Sequence, residues 1–263
     1  MQIFVINLPS AIERRQLQQD QLTKLGLEYE ILDATSVEDI DETTYTKHYF
    51  DWQRPLRKTE IACYYSHRAA WNKIIKSERP ALILEDDAIL SKYVPKLLDN
   101  LNKTENTDFI TLENRSRKKF VARSYIDIDC NSKLIRLYQD RTGAAGYILW
   151  PTGAQKLIQL EKNSGIGLAD AHITACHTLK AYQVEPSPII QLDQCERYGI
   201  SNPQTKVISE SSVSCAKNSK GGWVFWIKRI RFQLALGLRQ LLIITKSQRR
   251  YIKIRAADFS SYL

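Results

Sequence analysis

The chain's strongest constraint is the run Ala81-Leu82-Ile83-Leu84, four apolar residues without a polar break, which ends in Glu85-Asp86-Asp87. A strand with one wet face alternates apolar and polar side chains. This one does not, so it predicts a strand covered on both faces, the habit of parallel strands in α/β proteins. Ligands of such sheets gather at the carboxyl ends of the strands. Three adjacent acids therefore stand where a ligand is expected.

The rest of the chain repeats the alternation of strand and helix. Residues 2–8 read as a strand, and Ser10 with Glu13 forms a capping box for a helix to about Leu25. A second strand covers 29–32 and stops at Asp33. Residues 37–58 show no period and read as irregular. A helix follows over 59–77, then the apolar strand, a helix at 93–101 and a strand at 109–112. After a basic loop at 115–119, strands are predicted at 134–138 and 144–150. Thr152 with Gln155 offers another capping box for a helix to Leu160, and a helix from Asp170 reaches about Lys180. Residues 184–192 read as a strand broken by proline, and 196–222 as a polar linker. The pattern predicts a mixed α/β sheet flanked by helices.

Charge separates the end of the chain from its body. Of the formal net charge of +9, residues from Lys217 onward hold eleven basic side chains against one acid, Asp258, so residues 1–216 are nearly neutral. That distribution argues against a nucleic-acid groove across the fold and for a basic appendage that meets an anionic surface. No nucleic-acid partner is expected. Five scattered cysteines without CxxC spacing suggest free thiols in a reducing compartment. The first eight residues lack a basic leader, so no signal peptide is expected, and a cytoplasmic location follows. No GxGxxG or GxxxxGK[ST] occurs, which disfavours dinucleotide and P-loop enzymes.

Three neighbouring carboxylates repel one another unless something positive lies between them. Hard oxygen ligands suit Mg²⁺ or Mn²⁺, which commonly take one or two protein carboxylates and complete their shell with water and phosphate. A solvated turn fits the same residues. Alternate residues of an extended segment share a face, so Glu85 and Asp87 point to one pocket and Asp86 to another. His172, Cys176 and His177 have helical spacing but lack a fourth partner for zinc.

Four blocks, in order, resemble glycosyltransferase family 25, whose members include lipooligosaccharide-biosynthesis galactosyltransferases: Phe4-Val5-Ile6-Asn7-Leu8 with Arg14-Arg15; Glu60 to His67 with Trp71; Leu82 to Asp87; and Thr142 to Tyr147 with Gly153, Ala154 and Leu157. The resemblance covers roughly residues 1–195. It implies a GT-A-like fold, a UDP-sugar donor (most often UDP-galactose), a divalent metal and inversion at the anomeric carbon. It makes Glu85 and Asp87 the metal ligands. The donor would meet Asn7, Arg14, Asp33, His67, Asp86 and Gly143. Asp170, after a glycine-bearing loop, becomes the base that takes the acceptor proton, with Asp193 and Glu196 as rivals. As a residue at a helix start, Asp170 fits a capping role as well, and His67 fits a satisfied interior histidine. The acceptor implied is a lipid-linked oligosaccharide at the cytoplasmic face of the inner membrane. A nucleotidyltransferase or pyrophosphatase acting on a sugar nucleotide is the rival enzyme, and a non-catalytic membrane- or nucleic-acid-binding module the rival of another class.

In the tail, Trp223, Trp226, Ile227, Ile230, Leu234, Leu238 and Leu241 recur at helical spacing, with Lys228, Arg229, Arg231 and Arg239 around them. A basic amphipathic helix that opens on tryptophans has the pattern of an interfacial anchor for an anionic membrane, here over 223–255. The expected organisation is a catalytic domain over 1–195, a linker over 196–222 and a membrane-associating tail over 223–263.

Overall fold

The computed structural model describes residues 1–139, 143–200 and 222–259. The chain opens with β1 (Gln2–Asn7), α1 (Ile12–Lys24), β2 (Glu30–Asp33), α2 (Glu42–His48) and α3 (Lys58–Ser77). The apolar run becomes β3 (Ala81–Glu85), followed by β4 (Ala88–Leu90), α4 (Val94–Leu101) and β5 (Phe109–Thr111). Next come β6 (Lys119–Ala122), β7 (Ile126–Asp127), β8 (Lys133–Gln139) and β9 (Gly146–Leu149). The remainder is α5 (Pro151–Ser164), α6 (Ala169–Ala175), β10 (Ala181–Glu185), β11 (Ile189–Gln191), α7 (Trp223–Ile243) and β12 (Ser247–Arg250).

One sheet runs in the order β12-β6-β8-β10-β5-β9-β3-β1-β2, and β11 pairs with β4 beside it. β1 is parallel to both β2 and β3, and β5 is parallel to β10. β9 lies antiparallel between β3 and β5. The carboxyl ends of β1, β2, β3 and β5 and the amino end of β9 therefore share one edge.

The unbroken apolar run has the predicted cause. Leu82 and Leu84 pack with Ile3, Val5, Leu97 and Leu101, whereas Ala81 and Ile83 pack on the other face with Phe4, Trp71, Tyr147 and Leu157. All four residues of the run are 0% exposed. Burying each of the larger side chains contributes ~1.5–3 kcal/mol, and only a sheet with helices on both faces provides that burial twice.

Several local expectations are corrected. α1 begins after Ala11, with no side-chain cap, so Ser10 and Glu13 form no capping box. α5 starts with Pro151 at its first turn, and the Thr152 hydroxyl donates to Asp108 Oδ1 at 2.7 Å instead of capping. The segment read as irregular contains α2, capped by Asp41, which accepts from Thr44 N at 2.7 Å. α6 stops at Ala175, and Lys180 N donates to Asp108 Oδ2 at 2.7 Å as the chain enters β10. β4 and β6 were not expected. Most of the stretch read as a linker, Thr142 and Cys215 lie outside the described residues.

The tail does not end as a helix. β12 pairs antiparallel with β6 at the sheet's edge. Arg250, its last residue, forks onto the Glu185 carboxylate; beyond it, Lys253 N donates to Glu185 Oε1 at 2.8 Å, and Phe259 is 1% exposed among Leu17, Ile89 and Ile190.

Candidate active site

The acid triplet leaves the end of β3 and faces two adjoining cavities, of about 280 and 180 Å³. Arg14, Cys63, Glu85 and Asp87 line both. The larger also meets Gly143, Leu168, Asp170, Gln191 and Asp193. The smaller runs along Ala34 to Val37, just past β2, and includes Ser66, His67 and Asp86. The structure thus gathers seven of the nine residues singled out from sequence around one cleft.

Each acid has its own surroundings. Asp86 accepts from Asn7 Nδ2 at 2.9 Å and from Arg14 Nη1 at 3.2 Å. Burial nevertheless raises its carboxyl above the usual range, against the pull of Arg14. Asn7, 1% exposed, lines neither cavity and fixes Asp86 instead. Asp33 is a correction of another kind: its side chain is 71% exposed, lies 3.8 Å from Arg15 and lines neither cavity, because the chain turns inward only at Ala34.

Glu85 is held from behind. Trp71 Nε1 donates to the Tyr147 hydroxyl at 2.9 Å, and that hydroxyl lies 2.9 Å from His67 Nδ1. His67 Nε2 lies 3.1 Å from Glu85 Oε1. An indole N–H only donates, so one arrangement satisfies every atom: the Tyr147 O–H donates to Nδ1, and a neutral His67 donates its Nε2–H to Glu85. His67, 1% exposed, is thus an interior histidine that also orients a cleft carboxylate.

Asp87 carries the tension of the site. Its Oδ1 is buried without a hydrogen-bond partner, and burial, then the charges of Glu85 and Asp86, push its carboxyl up to about 8. Glu113, at the end of the β5 segment, was missed from sequence. It is 0% exposed, accepts from Ala145 N at 2.8 Å through Oε2, and has an unpartnered Oε1. Burial and the Glu85 charge likewise raise it to about 8. Its signal was present: Phe109-Ile110-Thr111-Leu112-Glu113 repeats the strand-then-Leu-Glu pattern of residues 81–85. Gly143 is explained by the same carboxylate. It has φ +89°, and a Cβ there would lie 2.5 Å from Glu113 Oε2.

These acids fit a divalent cation. Among the described residues no set of three His, Cys, Asp or Glu forms a ready cage. Mg²⁺-type sites need only one or two carboxylates. The unpartnered Asp87 Oδ1 beside Glu85, in a cleft where burial penalises negative charge, is the environment a cation relieves.

Asp170 lines the larger cavity from the first turn of α6. The helix's N-cap is Leu168, and the only backbone contact of the Asp170 carboxylate among those described is from Ala171 N at 2.7 Å. Asp193 lines the same cavity but is paired with Arg115 Nη2 at 2.8 Å, and Glu196 lines neither.

A sheet whose strand ends present buried acids to a divided cleft defines an α/β enzyme-like scaffold. The profile of glycosyltransferase family 25 (LPS biosynthesis protein) matches residues 1–173, and the chain belongs to that family. A Haemophilus influenzae protein that carries the name of a glycosyltransferase is 25% identical over 170 residues, 63% of this chain and 60% of that protein. The lipooligosaccharide biosynthesis protein lic2B of Haemophilus influenzae is 25% identical over 73% of this chain and 76% of its own. Procollagen galactosyltransferase 1 of Danio rerio is 24% identical over 61% of this chain, which spans 28% of that longer protein. Among solved structures, the inositol-1-phosphate CTP transferase of T. maritima overlays with a TM-score of 0.41 at 11% identity, covering 72% of this chain and 88% of that one.

Proposed function

We propose that the chain is an inverting, divalent-metal-dependent hexosyltransferase that moves galactose, in β linkage, from a UDP-sugar to a lipooligosaccharide or related glycan. Its acceptor is lipid-linked, and the protein works at the cytoplasmic face of the inner membrane. One observation carries the reading: Asp87, with its unpartnered oxygen just past β3, and Asp170 on α6 line the same cavity.

The smaller cavity, with Thr35 N donating to Ser66 Oγ at 2.9 Å, receives the nucleoside. Arg14, at the junction of the two cavities, faces the diphosphate. Glu85 and Asp87 would hold Mn²⁺ or Mg²⁺, which would supply charge neutralisation for the departing diphosphate. In the larger cavity the acceptor hydroxyl oxygen bonds to the anomeric carbon as the bond from that carbon to the diphosphate oxygen breaks. Asp170 takes the hydroxyl proton, and the diphosphate leaves with the electron pair. Inversion needs this single displacement and no covalent intermediate.

The test is UDP release from a panel of UDP-sugars, with and without Mn²⁺, for the wild type, Asp87→Ala and Asp170→Asn. Metal-dependent release from UDP-galactose that both variants lose is expected. Intact release by Asp170→Asn refutes its role as base, and no binding of any UDP-sugar refutes the whole reading.

A further inference from the structure

α7 has two faces, and among the described residues only one is occupied. Phe225 stacks on Phe50 with ring centroids 5.5 Å apart, and Phe232 meets Trp52 edge-on at 5.6 Å. Lys228 donates to the Phe50 carbonyl, and Arg239 donates to the Tyr138 carbonyl at 3.0 Å. Two of the four basic residues that surround the apolar positions are therefore turned toward the body. On the opposite side, Trp223, Trp226, Leu234, Leu238 and Leu241 are 75%, 65%, 68%, 62% and 68% exposed. Arg229 and Arg231 are exposed on either flank of that apolar stripe, and residues 223–257 contain no acid.

The occupied face leads to the cleft. Trp52, which meets α7, and its neighbour Asp51 press on the loop before α6. A Cβ on Gly165 would lie 2.5 Å from Asp51 Cγ, and one on Gly167 would lie 2.8 Å from Trp52 Cε3. Ile166 N donates to Asp51 Oδ2 at 3.0 Å. The same loop delivers Leu168 and Asp170 to the larger cavity. Contacts are thus continuous from α7 through residues 49–52 to the candidate base.

We infer that the outer face of α7 lies in the interface of an anionic bilayer, and that this docking clamps the Asp170 loop through Phe50 and Trp52. The stripe opens on two tryptophans, is flanked by arginines and has no acid to repel anionic headgroups, which matches a lipid surface better than a second, equally basic copy of this chain. No described helix is long and apolar enough to cross a membrane. The inference rests on the peripheral location proposed above but not on the transfer chemistry.

The test uses the full chain and vesicles of phosphatidylglycerol mixed with phosphatidylcholine, against phosphatidylcholine alone. Binding is read by tryptophan fluorescence and the clamp by amide hydrogen exchange at residues 165–170. The wild type is expected to bind the anionic vesicles and to exchange more slowly at 165–170 when bound. Leu234→Ser with Leu238→Ser, both exposed positions, should lose binding while UDP release without vesicles is unchanged. Arg229→Gln and Arg231→Gln should each weaken binding about fivefold, the equivalent of ~1 kcal/mol per basic residue. Phe232→Ala should bind but lose the protection. Equal binding of wild type and the double serine variant overturns the docking surface. A lipid-free dimer that this variant dissolves assigns the stripe to a second copy instead. Binding without slower exchange at 165–170 overturns the clamp.

Discussion

The chain of buried hydrogen bonds behind Glu85 is open to a direct test with Tyr147→Phe. Only one oxygen is removed, but it serves two neighbours: it accepts from Trp71 Nε1 and meets His67 Nδ1, both at 2.9 Å. Tyr147 and Trp71 are 0% exposed and His67 is 1% exposed, so water does not replace the lost partner. Each buried polar group left unpaired costs ~1–3 kcal/mol, so the variant should lose ~2–4 kcal/mol in urea unfolding followed by circular dichroism. The effect should be coupled. In a Trp71→Phe background no indole N–H remains to satisfy, and the cost of Tyr147→Phe should fall by ~1 kcal/mol or more. The KM for UDP-sugar should rise in the single variant, because His67 no longer has a fixed tautomer to present to Glu85. A single variant within ~0.5 kcal/mol of the wild type, with no coupling to Trp71, would refute the relay.

Two further substitutions probe the cleft itself. Gly143→Ala places a side chain at φ +89° and within 2.5 Å of Glu113 Oε2, and should destabilise by ~2–4 kcal/mol; adding Glu113→Ala should recover the part due to the clash but not the backbone strain. Raised carboxyl groups on Asp87 and Glu113 mean that the metal-free folded state keeps protons that the unfolded chain has released. That contribution to stability is complete below the ordinary carboxylate range and is lost as pH climbs toward about 8, so urea midpoints measured in chelator should fall across this window. Asp87→Asn should flatten the slope and stabilise the metal-free protein while abolishing UDP release; an unchanged slope would show that Asp87 is ionised throughout.

The sheet's centre was readable because its code is local. The apolar run of β3 and the acids after it need no distant partner to be recognised. Glu113 carried the same pattern but was hidden by a shorter strand and by the basic residues that follow. The Thr152 capping box fails for a tertiary reason, since its hydroxyl is taken by Asp108, far away in sequence. β12, with Ser-Gln-Arg-Arg, has no strand-like composition at all; the exposed edge of β6 supplies what its own residues lack. Asp33 and Asn7 share a strand-end position that sequence alone cannot tell apart, although one side chain points to water and the other is consumed in holding Asp86.

The return of the chain end to the sheet also orders events during synthesis. Asn114, next to the buried Glu113, donates its Nδ2 to the carbonyl of Ile252, 138 residues later, and Glu185 awaits Arg250. Until residues 247–253 have left the ribosome, β6 has an open edge and Asn114 and Glu185 lack these partners. The nascent protein therefore closes this edge of its sheet only after the helix with the tryptophan-bearing face has already emerged.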